Sequence, residues 1–110
     1  DYADVVIPTG LDIARNSVVV HSDAVIVIGG SAGTLSEIAM AWSLYRLIIG
    51  FRVDGWSGKL ADKPVDERDR YPEIENDRVY GVDETDEALE LLKELLPKYQ
   101  KVHRGIHWRK

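Results

Sequence analysis

Along the chain, short β-branched runs alternate with stretches in which apolar residues return every third or fourth position. Val5-Val6-Ile7, entered from Asp4 and stopped by Pro8-Thr9-Gly10, predicts a strand running into a turn. Ala24-Val25-Ile26-Val27-Ile28 is apolar without alternation and ends at Gly29-Gly30, the pattern of a parallel strand covered on both faces. Leu35, Ile38, Ala39, Trp42 and Tyr45 then recur at helical spacing, and Arg46-Leu47-Ile48-Ile49-Gly50 predicts the next strand. Between the first two strands, residues 13–22 pull both ways. Val18-Val19-Val20 favours a strand, but parallel neighbours need a connection of about a dozen residues, so a crossover helix is predicted there.

Residues 50–78 are rich in Asp, Arg, Gly and Pro with no sustained period, which predicts a long loop of the functional or mobile kind. Val79-Tyr80-Gly81-Val82 predicts a further strand. Thr85 then stands as the cap of a helix whose stripe is Ala88, Leu91, Leu92 and Leu95, with Asp86 and Glu87 in its first turn and Pro97 as its end. The order of elements predicts an α/β fold, a Rossmann-like three-layer parallel sheet. Doubly wound domains usually carry more strands than the four visible, so the chain is expected to be the C-terminal part of a longer domain. The division expected is a partial nucleotide-binding domain over 1–97 and a basic tail over 98–110.

Composition narrows the chemistry. The 110 residues include no cysteine, which excludes disulfides, thiolate catalysis and zinc-thiolate sites. No apolar run approaches the roughly 20 residues that cross a bilayer, and no signal-peptide pattern opens the sequence, so a cytoplasmic location without a membrane partner is the expectation. The net charge of −5 is unevenly spread: Lys98, Lys101, Arg104, Arg109 and Lys110 make the tail +5, leaving −10 on the preceding 97 residues. An acidic body argues against a broad nucleic-acid surface. The tail, with His103, His107 and Trp108, reads as a solvated or oligomer-docking extension. Asp62, Asp66, Glu67 and Asp69 read as a solvated acidic run and not a metal site, since no histidine lies near them. No metal is expected, and no cofactor is required for folding.

The candidate site is the turn Gly29-Gly30-Ser31-Ala32-Gly33-Thr34. A strand that ends in glycines and feeds a helix gathers backbone N–H groups at the positive end of a helix dipole, a setting that suits an anion. Glycine lets a phosphate approach the backbone, and Ser31 and Thr34 carry hydroxyl donors. The spacing is neither the dinucleotide fingerprint nor a Walker A loop. Glu37 has two readings: with Thr34 it spells the capping box Thr-x-x-Glu, and beside a bound anion's sugar it is a candidate acid or base. Arg15 and Asn16, just past the Thr9-Gly10 turn, lie at the mouth side of the sheet, where a guanidinium can hold phosphate bidentately; otherwise they are exposed residues of a crossover helix. His21 reads as a dipole partner at a helix end. Trp56, after Asp54-Gly55, either stacks on a base or anchors its loop.

The run from Arg15 through His21-Ser22-Asp23-Ala24 to Gly30, Gly33-Thr34 and Glu37 resembles the LOG-like family, once labelled lysine-decarboxylase-like, whose signature is Pro-Gly-Gly-x-Gly-Thr-x-x-Glu after a buried strand. Ile7-Pro8-Thr9-Gly10 and Ala14-Arg15-Asn16 look closer to a prokaryotic branch related to the molybdenum cofactor carrier protein. The resemblance covers roughly residues 1–96. It implies a nucleotide- or cofactor-binding protein that holds a phosphate on residues 29–34, and a homo-oligomer. It also implies two alternatives: a nucleoside 5'-monophosphate phosphoribohydrolase with Glu37 and Arg15 as catalytic pair, or a non-catalytic molybdenum cofactor carrier. The ligand expected is an AMP-like nucleoside monophosphate or a molybdopterin. Departures from the pattern favour binding over hydrolysis. The signature's proline falls on Gly29 and its second glycine on Ser31. Of the hydrolases' Arg-Lys pair, the Arg position is Ala14 and the Lys position is Arg15, one residue and about 100° of helix out of place.

Overall fold

A computed structural model describes residues 5–6 and 23–107. Four parallel strands, β1 (Val5–Val6), β2 (Ala24–Val27), β3 (Leu47–Phe51) and β4 (Tyr80–Val82), form one sheet in the order β1-β2-β3-β4. Val25 pairs with Ile48, Ile26 with Ile49, and Gly50 with Gly81. The helices are α1 (Ala32–Ser43), the short α2 (Trp56–Leu60) and α3 (Thr85–His107). The α/β reading from the sequence pattern holds. The crossover helix predicted over 13–22 lies outside the described residues.

Strand alternation sorts the core into two layers. Ala24, Ile26, Leu47, Ile49, Tyr80 and Val82 face one side and pack under Ala88, Leu95 and Tyr99 of α3. Val25, Val27 and Ile48 face the other, under Ile38, Ala41 and Trp42 of α1, with Trp56 and Leu60 of α2 packed alongside. Every residue of β2 is buried, the reason its sequence shows no polar alternation. In α1, Thr34, Glu37, Ile38, Ala41 and Trp42 form the buried stripe, one helical face set down on the sheet.

Two expectations about α3 are corrected. Thr85 is the first helical residue and not the cap. The capping side chain is that of Glu87, whose Oε1 accepts the backbone N–H groups of Asp83 (2.6 Å) and Glu84 (3.0 Å), the returning half of a capping box. Nor does Pro97 end the helix, which runs through it to His107. Proline costs a helix one hydrogen bond and a clash with the preceding turn. Leu95 and Tyr99, both buried in the core, flank it and hold the helical path by packing. The basic end of the chain therefore starts inside α3. Among the described residues, no helix is long and apolar enough to cross a membrane.

The stretch 50–78 is more ordered than its composition suggests. Besides α2, it contains Arg70, whose side chain is fully buried. The guanidinium holds Asp77 at 2.7 and 2.9 Å and donates to the carbonyls of Trp42 (2.9 Å) and Arg46 (3.1 Å). Its centre lies 3.8 Å from the Trp42 ring centroid. Tyr99 of α3 donates to Asp77 at 2.5 Å and lies 2.9 Å from the Tyr80 hydroxyl, while Tyr71 donates to the Tyr45 carbonyl. This cluster joins the loop, the end of α1 and α3 beside the N-terminal edge of the sheet, leaving the opposite edge to the glycine turn.

Candidate functional site at the glycine turn

The turn lies where β2 gives way to α1, at the C-terminal edge of the sheet. Gly29 and Gly30 have φ of 68° and 98°, and α1 starts two residues later at Ala32 with Ser31 as its N-cap. At Gly30 glycine is required twice over: the positive φ strains any other residue, and a Cβ would overlap the Thr34 side chain. Gly30, Ser31 and Ala32 are exposed, so the turn opens to solvent. By helix geometry the amides of Ala32, Gly33 and Thr34 precede the first intrahelical bond, which runs from the Leu35 N–H to the Ser31 carbonyl at 3.1 Å. Ser31 makes no side-chain cap bond to them.

The turn's carbonyls point the other way. The Gly30 carbonyl accepts the N–H of Trp56, and the Gly29 carbonyl accepts that of Ser57, both at 3.1 Å. The helix start therefore presents N–H groups while the carbonyls of these two peptides are bonded to α2. The Gly29 N–H is also committed, donating to Ser57 Oγ at 2.7 Å.

The structure separates the predicted residues. Gly30, Ser31, Ala32 and Gly33 form the accessible rim. Thr34 is only 2% exposed and its side chain packs against Gly30, whereas Ser31 is exposed. Gly29 serves the turn's shape. The capping-box reading of Thr34 and Glu37 is corrected: with α1 starting at Ala32, Thr34 is the third helical residue and Glu37 the sixth, beyond the first turn. Glu37 instead lies on the buried face, 1% exposed. Thr9, Gly10, Arg15, Asn16 and His21 lie outside the described residues.

Trp56 is half-buried against the α1-side core with Lys59 Nζ 4.7 Å from its ring centroid, in line with the anchoring alternative. Two residues of the acidic run have partners. Asp62 pairs with Arg52 at 2.9 Å and accepts the Gly81 N–H, and the Arg52 hydrogen bond holds its carboxyl below the usual range. Asp66 accepts the Arg68 N–H and the Trp42 indole N–H, both at 2.9 Å, and these bonds lower its pKa. Among the described residues, no cluster of His, Asp and Glu could hold a metal ion. Sequence reasoning passed over Gly55 and Ser57. The only visible signal was Asp54-Gly55-Trp56-Ser57 shortly after a strand, and nothing in it indicated contact with residues 28 positions earlier.

Comparison with known proteins adds family and little else. The model of the SLOG cluster4 family matches residues 1–88. An uncharacterized protein of Archaeoglobus fulgidus is 55% identical over 42 residues, which are 37% of this chain and 28% of that protein. The chain thus spans well under two thirds of the length of the curated relative it matches. No solved structure matches.

Proposed function

Since the chain belongs to the SLOG cluster4 family, part of a superfamily related to the LOG-like proteins, we propose that it binds a nucleotide or nucleotide-like cofactor through its phosphate, held by the amides of Ala32, Gly33 and Thr34 and the Ser31 hydroxyl. Family membership suggests the nucleotide-related class. The observation that carries the phosphate is the orientation of the turn: both glycine carbonyls are bonded to α2, while the helix start, with its partial positive charge, opens to solvent. A nucleoside monophosphate and a pterin phosphate present the same dianion to this cradle, so either fits its chemistry. AMP is the probe of choice, titrated by calorimetry against the wild type and Gly30→Ala. Wild-type binding that the variant lowers at least tenfold is the expected result, because a methyl group cannot share the turn with Thr34. No binding by the wild type at millimolar AMP would refute the proposal.

The buried carboxyl of Glu37, one helical turn after Thr34 of the cradle, supports a second reading, N-glycosidic hydrolysis, as a candidate acid or base beside a bound sugar. In this reading Glu37 acts on a bound nucleoside monophosphate with Arg15. Base released from AMP, and lost in Glu37→Ala, would support it. Release equal to that of the variant would leave binding alone.

A further inference from the structure

Ser57 is fully buried and bridges two backbones. Its Oγ lies 2.7 Å from the Gly29 nitrogen and 2.7 Å from the Phe51 carbonyl oxygen. A carbonyl can only accept and an amide can only donate, so the hydroxyl's one proton goes to Phe51 and its lone pair to the Gly29 N–H. The end of β3 is thereby tied through one side chain to the start of the glycine turn. Around this bond, Gly55 at φ 112° comes so close that a Cβ there would stand 2.7 Å from the Gly29 carbonyl carbon and 2.8 Å from the Gly30 nitrogen. A Cβ on Gly29 would meet the Asp54 carbonyl at 3.2 Å. Residues 54–57 form the underside of the turn.

We propose that Ser57 is the positioning residue of the anion cradle, turning the Gly29 peptide inward so that the amides offered to a ligand begin at the helix start. The assignment rests on the phosphate-binding reading above and adds a residue that never touches the ligand. It divides the amides of the turn into two sets. Gly29 N–H stays on Ser57 whether or not an anion is present, and Ala32, Gly33 and Thr34 respond to the anion.

Amide NMR on the full chain, with inorganic phosphate and then AMP as probes, reads both sets. In the wild type, resonances of Ala32, Gly33 and Thr34 are expected to move on titration while the Gly29 amide keeps its shift and its protection from exchange. A Gly29 shift as large as theirs would overturn the assignment without any variant. Ser57→Ala is expected to expose the Gly29 amide to exchange and weaken AMP binding about tenfold, the worth of one well-made hydrogen bond. Ser57→Thr, which restores a hydroxyl, should recover most of that loss. A role in folding alone would lower the melting temperature of Ser57→Ala and leave the affinity of its folded fraction within twofold of wild type, and that result would overturn the proposal. If the wild type shows no response to either probe, the phosphate-binding reading fails. If it responds and Ser57→Ala responds equally, only the role of Ser57 fails.

Discussion

Removing the carboxylate of Asp77 tests the buried cluster where it is most exacting. Asp77→Ala would leave the fully buried Arg70 guanidinium with the Trp42 and Arg46 carbonyls and the Trp42 ring but without its ion-pair partner. Truncating one partner of a buried pair costs about 3–5 kcal/mol, most of it the desolvation of the charge left behind. Tyr99 would lose an acceptor as well but keep its contact with Tyr80. Against a total stability of roughly 6–16 kcal/mol for a chain of this length, that is a large fraction, a fall in melting temperature on the order of 15 °C. Urea denaturation followed by circular dichroism measures it. The double variant Arg70→Met/Asp77→Leu should recover about half of the loss, because no unpaired charge is buried and only the two carbonyls lose a donor. A loss below about 1 kcal/mol in Asp77→Ala, or a double variant as unstable as the sum of the singles, would refute the assignment of the pair as a closely coupled buried unit.

Two further outcomes follow from α3. Pro97→Ala should stabilise the protein by about 2 kcal/mol, the roughly 3 kcal/mol of a proline inside a helix less about 1 for the freer unfolded chain, and a loss of stability in urea would contradict a continuous helix through that position. Burial pushes the Tyr99, Tyr71 and Tyr80 phenols above their ordinary value near pH 10, with hydrogen bonding to Asp77 and Tyr80 adding to the rise at Tyr99. The folded state thus holds these protons longer than the unfolded one: stability is fully present below pH 10 and is lost as pH rises above it. Melting curves from pH 9 to 11 should decline less steeply for Tyr99→Phe than for the wild type, and identical slopes would count against the buried phenol.

The described strands, the two helices that cover the sheet and the glycine turn were legible in the sequence because their signals are local. Uninterrupted β-branched runs mark strands buried on both faces, a spacing of three and four marks helices, and two glycines before a helix mark a turn with an anion-friendly end. The family resemblance rests on the run from Arg15 to Glu37, together with residues 7–10 and 14–16. Where local signals misled, tertiary contact was the cause. Thr34 and Glu37 have the spacing of a capping box, but the position of the cap depends on where the helix starts, and the turn starts it three residues earlier at Ser31. Pro97 is a helix stop by propensity, overridden by the packing of Leu95 and Tyr99 on either side.

Only the tertiary structure decided which groups of the turn are already bonded and which open to solvent. The sequence determines that residues 29–34 can bend tightly and that a helix start follows. It carries no information on which of their N–H and C=O groups are already bonded, since those partners, Trp56 and Ser57 of α2, come 26 to 28 residues later. Nor could the sequence indicate that Arg70, in a stretch reading as solvated loop, sits fully buried on the Trp42 ring with Asp77. A buried charge is possible only where its counter-charge and acceptors converge, and convergence belongs to the folded chain.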